Sequence, residues 1–212
     1  MHLHVLGYPS APIAFPPRHS YLHFMHVISR DSPCYLLTSV SKDRLPVFGM
    51  DAIKLIAAKA LDEARKSGKF ALYAYVIMPD HLHVITDSTR SSADTLRFVN
   101  GIIGHRVIAY LKEKGHESSL QKLRQETKRR RYQYSLWDHH PNVRLLLTEN
   151  MLMERVHYIH QNPVRAGLVK RAEDYRHSSA RCWTGKPLED EPLLMDIGNI
   201  KWRSGRRSLP NY

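Results

Sequence analysis

The chain has 212 residues, 42% of them hydrophobic and 25% charged, which suits one folded domain with a real core and excludes a disordered polar polymer. No apolar run approaches the roughly 18 residues of a membrane helix, no apolar leader is visible, and Cys34 and Cys182 have neither metal spacing nor the number for a disulfide framework, so a cytoplasmic, nucleoid-associated protein without a membrane partner is expected. A net charge of +12 says nothing of fold but favours a polyanionic partner such as nucleic acid.

Residues 1–20, with Pro9, Pro12, Pro16 and Pro17, lack any period and predict a flexible N-terminal arm. "YLHFMHVISR" (21–30) is aromatic and β-branched and predicts a strand, and "DSPCYLLTSVSKDRLPVFG" a loop with at most an edge piece. Asp51 is placed to cap a helix over 51–67, whose Ile53, Ile56, Ala57, Ala60, Leu61 and Ala64 recur at threes and fours before Ser67-Gly68. "FALYAYVIM" and "HLHVIT" predict two strands joined at Pro79-Asp80, an antiparallel hairpin. Ser91 and Asp94 resemble a capping box, followed by a helix to about Lys114 on Leu96, Val99, Ile103, Val107, Ile108 and Leu111. "QKLRQETKRRR" carries six basic residues and one acid; "YQYSLWDHHPNVRLLL" predicts a strand region broken near Pro141. Thr148 can cap a third helix, "ENMLMERVHYIHQN", ending near Pro163, and the rest is loop with a basic tail over 184–212.

The order is strand, helix, strand, strand, helix, strand, helix. Its first six elements are those of an α+β, ferredoxin-like or RRM-like antiparallel sheet with helices packed on it, here one domain over 21–183.

His-Leu-His occurs twice, at 2–4 and 81–83. The first copy lies on the arm, where nothing would hold a site. In the second, residues i and i+2 of a strand face one side, so His81 and His83 can aim two imidazoles at one divalent metal. A half-buried strand with two satisfied polar residues would look the same. A histidine-triad hydrolase needs a third histidine where Ile85 stands, and no second histidine-x-threonine or serine motif supports a two-histidine phosphoesterase. A structural zinc site wants four nitrogen or sulfur ligands, and no such cluster accompanies the pair.

On the third helix, Leu152, Val156 and Ile159 form the apolar stripe. Tyr158 lies off it, with Asn162 four residues on along the same face. His160 falls nearer the stripe and suits packing; Gln161 competes with Asn162 as a metal donor. Paired histidines, a phenol, an amide at helical spacing and a basic chain fit one chemistry. A metal held by His81, His83 and an amide oxygen polarises a DNA phosphate, which Tyr158 attacks in line, leaving a phosphotyrosine and a free 3′-hydroxyl. A phenol is ordinarily protonated at neutral pH, and the sequence names no base for it.

The stretches "YVIMPDHLHVI" and "VHYIHQNPVRAGLVKRAEDYRHSSA" resemble the REP-associated tyrosine transposases, a branch of the single-tyrosine HUH transposases in which U is a hydrophobic residue. "HFMHVISRD" and "LPVFG" match that family's opening strand and loop more loosely, and the likeness covers roughly residues 21–183. The resemblance implies that His81 and His83 are the HUH ligands, Tyr158 the nucleophile and Asn162 the third ligand. It implies Mg²⁺ or Mn²⁺, a ferredoxin-like core, and cleavage and rejoining of single-stranded DNA beside hairpins of repetitive palindromes. "LWDHHPNVRLLL" departs from the aromatic-rich strand usual in the family, His139 and His140 being unexpected.

Lys128, Arg129, Arg130 and Arg131 are candidates for phosphate contacts, each steepening the salt dependence by roughly 0.7 to 0.9 log units. Arg165, just past the nucleophile helix, could grip a phosphate bidentately or pair with Glu154. The expected partner is single-stranded or hairpin DNA, bound by a monomer or homodimer. The alternative function is a non-catalytic nucleic-acid-binding regulatory module on the same sheet.

Overall fold

The computed structural model describes residues 25–125, 133–138 and 141–203. Four strands, β1 (Cys34–Val40), β2 (Leu72–Ile77), β3 (His81–Thr86) and β4 (Asn142–Leu146), form one sheet in the order β2-β3-β1-β4. Every pair is antiparallel. Helices α1 (Asp51–Gly68) and α2 (Ser92–Glu113) complete the β-α-β-β-α-β order of a ferredoxin-like core. The expected α+β class and element order stand.

The first strand is in a different place. Residues 25–33 are not a strand; His26 makes only an isolated bridge, to Ile200. The stretch expected to be loop supplies β1, the central strand flanked by β3 and β4. Polar Thr38 and Ser39 disguise it. Thr38 serves the cleft described below, and the Ser39 hydroxyl donates to Asn100 Oδ1 on α2 at 2.7 Å. A central strand that reaches outward with hydroxyls loses the apolar run by which strands are recognised.

Other boundaries hold with small changes. Met50 occupies the N-cap of α1 and Asp51 is its first residue, paired with Lys54 at 2.8 Å. Ser91 and Thr148 cap their helices as expected, their hydroxyls accepting from the Asp94 and Met151 amides at 3.1 and 3.2 Å. A short helix α3 (Glu117–Leu123) follows α2.

α1 and α2 cover one face of the sheet, Ile53, Leu61, Val99 and Ile103 packing against Leu37, Tyr75, Ile77, Leu82 and Val84. α4 (Glu149–His160) covers the other, its fully buried Leu152, Val156 and Ile159 meeting Cys34, Leu36, Val76 and Ile85. Each such burial contributes about 2 kcal/mol, enough to dock α4 while its polar side stays outward. The chain keeps packing beyond 183. Leu193, Ile197 and Ile200 are buried, and Asp196 accepts from Arg65 Nη1 and from the Leu72 amide. Residues 184–200 therefore belong to the packed body, where a basic tail was expected. No helix among the described residues is long and apolar enough to cross a membrane.

Candidate active site

A cleft of about 530 Å³ opens between the β1–β3–β4 side of the sheet and α4. His81, His83, Tyr158 and Asn162 all line it, so the structure gathers the four residues singled out from two distant stretches. Gln161 does not line it. Strand alternation does the sorting: Leu82 and Val84 point into the α1–α2 core, and the histidines point to the α4 side.

The imidazole rings of His81 and His83 lie 5.0 Å apart between centroids, and His83 is 6.0 Å from the Tyr158 ring. Each histidine has its Nδ1 engaged from behind. His81 Nδ1 is 2.6 Å from Asp80 Oδ1, and His83 Nδ1 is 2.8 Å from the Thr38 hydroxyl, its register partner on β1. Such supports fix a ring and leave Nε2 as the donor. Burial, followed by the neighbouring His81 and Arg165, pushes His83 down to about 3, so it is a neutral imidazole at ordinary pH, the form that binds metals. Burial alone would raise the Asp80 carboxyl, but the His81 hydrogen bond and the Arg44 cation outweigh it and hold Asp80 below its usual range.

Tyr158 is 40% exposed on the polar side of α4, accessible from the cleft. The Arg165 guanidinium sits 4.6 Å from its ring centroid and donates 2.7 Å hydrogen bonds to the Tyr158 carbonyl and to Asn162 Oδ1. Arg165 thus caps the helix end and braces the amide. Arg155, one turn back, lies 5.7 Å from the same ring. His160 is buried and bonded to the Ser179 hydroxyl at 2.8 Å, the packing role expected for it.

Three observations bear on a cation here. No cluster of three or more His, Cys, Asp or Glu exists among the described residues, so a third donor must be of another kind. Asn162 offers an oxygen of that kind: its Oδ1 keeps a lone pair beyond the Arg165 bond. Its Nδ2 is buried with no partner, an orphan that leaves this amide poorly satisfied by the protein alone. Two imidazole nitrogens and an amide oxygen, with room for phosphate oxygens and water, fit a divalent ion such as Mn²⁺.

Sequence reasoning missed Thr38, Arg44, Asn142, Arg144 and Arg155, all of which line the cleft, and the role of Asp80 beside His81. Neither Arg144 nor Arg155 has an acidic partner among the described residues. Lys128, Arg129, Arg130 and Arg131 lie outside the described residues, as do His139 and His140.

No protein-family model and no curated protein sequence matches the chain. Solved structures do. That of the REP-associated tyrosine transposase bound to a REP hairpin aligns over 93% of this chain and all of the other, at 16% identity and a TM-score of 0.53. The chain has that transposase's fold. At this identity the likeness to the REP-associated transposase carries the fold alone. A Deinococcus radiodurans protein provisionally described as a transposase aligns over 69% of this chain and 97% of its own, also at 16% identity, with a TM-score of 0.43.

Proposed function

We propose that the chain is a transposase of the single-tyrosine HUH type, a divalent-metal-dependent endonuclease and strand transferase for single-stranded DNA at hairpin sites. One observation carries the reading. On the fold shared with a hairpin-bound transposase, two histidines from β3, a tyrosine from α4 and an amide from the short helix Asn162–Arg165 after it converge on one cleft.

His81 Nε2, His83 Nε2 and Asn162 Oδ1 would hold the ion. When bound, Mg²⁺ or Mn²⁺ acts as a Lewis acid on the scissile phosphate. Tyr158 Oη attacks phosphorus in line, its bond to phosphorus forms as the P–O3′ bond breaks, the phenol gives up its proton and the departing 3′ oxygen gains one. The product is a 5′-phosphotyrosine and a free 3′-hydroxyl, whose return attack rejoins a strand without an external energy source. Arg155 and Arg165 flank the phenol ring, supplying positive charge where the phosphate docks. Arg144 and Asn142 on the β4 side of the cleft suit the backbone of the incoming strand.

The test is incubation with hairpin oligonucleotides and Mn²⁺. A covalent protein–DNA adduct is expected, lost with chelator and in Tyr158→Phe, while Tyr158→Phe still binds DNA. An adduct that forms equally in Tyr158→Phe refutes the reading. Hairpin binding without any adduct, indifferent to chelator and to His81→Ala, would mark the chain as a binding module instead.

A further inference from the structure

The turn that presents His81 is held from outside by a loop with an unfavourable backbone. Asp43 and Arg44 both have φ of +52°, the left-handed region that side-chain-bearing residues rarely enter. The loop is pinned on several sides. Ser41 N donates to the Asp80 carbonyl and Lys42 N to the Leu136 carbonyl, each at 2.9 Å, and Ser41 Oγ lies 2.6 Å from the Leu45 carbonyl. Such conformations persist where the surroundings enforce them, and they gather at functional sites.

What the loop achieves is aim. It brings Arg44 Nη1 to 3.0 Å from Asp80 Oδ2, while the other carboxylate oxygen faces His81 Nδ1. An ionised carboxylate only accepts, so Nδ1 carries a proton, and in the neutral form of the ring the lone pair is then on Nε2. His83 is supported differently, by a Thr38 hydroxyl that can give or take a proton. Stability does not account for the Arg44–Asp80 pair. The Arg44 side chain is 69% exposed, and ion pairs that open to water contribute little. A strained backbone maintained for a weak surface pair points to another purpose.

We infer that Asp80 and Arg44 are positioning residues: the strained loop delivers Arg44 to Asp80, and Asp80 locks His81 in the tautomer and orientation that turn Nε2 toward the cation. The inference rests on the proposed ion between His81 and His83. It assigns the two histidines unequal supports, a charged one for His81 and a neutral one for His83.

Three variants of the full chain test it: Asp80→Asn, Asp80→Glu and Arg44→Gly. Glycine tolerates the left-handed backbone, so Arg44→Gly should melt no lower than wild type, and a folding defect cannot explain its losses. The imidazole ¹⁵N shifts of the metal-free protein are expected to show His81 protonated at Nδ1 in wild type and in Asp80→Glu, with that state lost or mixed in Asp80→Asn. Mn²⁺ affinity, read by electron paramagnetic resonance, should fall roughly 10- to 100-fold in Asp80→Asn, fall in the same direction in Arg44→Gly, and recover in part in Asp80→Glu. An unchanged tautomer and unchanged Mn²⁺ affinity in Asp80→Asn overturn the inference, and unchanged affinity in Arg44→Gly overturns the part given to Arg44. The tautomer is read without metal or DNA, so it judges the clamp even if wild type forms no adduct, a result that would refute the proposed function instead.

Discussion

Arg165 is where the parts of the cleft meet. One guanidinium reaches the Tyr158 carbonyl, the Asn162 oxygen and the face of the phenol ring. Lysine has the charge but not the planar fork. Arg165→Lys is therefore expected to slow adduct formation by about 10-fold, the loss of one well-placed interaction, in single-turnover kinetics with hairpin DNA. A rate equal to wild type would show that charge alone is needed there. The residue pattern of the cleft was partly legible. His81, His83, Tyr158 and Asn162 follow from strand and helix periods, because those periods decide which side chains share a face. Thr38 and Arg144 were not legible, because their place depends on β1 lying beside β3 and β4 beside β1, and no local period encodes a neighbour 45 or more residues away.

At the scale of elements, α1 ends under two constraints. Lys69 follows it in the left-handed conformation, φ +53°, donating to the Arg65 carbonyl. Lys69→Gly should raise stability by about 1 kcal/mol, seen as a higher urea midpoint. Gly68 is held by space: a Cβ there would stand 2.7 Å from the buried Phe70 ring. Gly68→Ala should cost about 1 to 3 kcal/mol, and a neutral effect would mean that Phe70 swings aside freely. The displaced first strand carries the same lesson as the missed cleft residues. "CYLLTSV" follows Pro33 and carries two hydroxyls before its last residue, so local propensity favours 21–30 over it, yet burial between two strands decides the outcome. α4 was legible as a helix, but its choice of the sheet face opposite α1 and α2 was not, since an apolar stripe does not say which surface it meets.

For the molecule as a whole, the histidines set the response to acid. Burial, with His157 adding to it, pushes His160 down to about 3, and burial is also the main cause lowering His26 and His177. In the unfolded chain histidines titrate near 6.5. Below that pH the unfolded state takes up protons the folded state refuses, so stability is full above about 6.5 and is lost as pH falls toward 3. Urea midpoints should drop steadily from pH 7 to pH 4, and a flat profile would contradict the buried neutral rings. The net charge of +12 gives the second whole-molecule response. Arg144→Ala and Arg155→Ala should each weaken hairpin binding and flatten the plot of log affinity against log salt by about 0.7 for a single-stranded contact. An unaltered slope would remove them from the phosphate path.

The strand of histidines and the helix of the tyrosine also differ in when they come into being. Synthesis runs from the N-terminus, and 75 residues separate His83 from Tyr158. Until β4, α4 and the packed stretch around Trp183 and Ile197 have left the ribosome, α4 has no complete surface to dock on. A nascent chain can carry both histidines and hold no Tyr158 phenol beside them. The cleft is complete only after the polypeptide has been released far enough to close its second core.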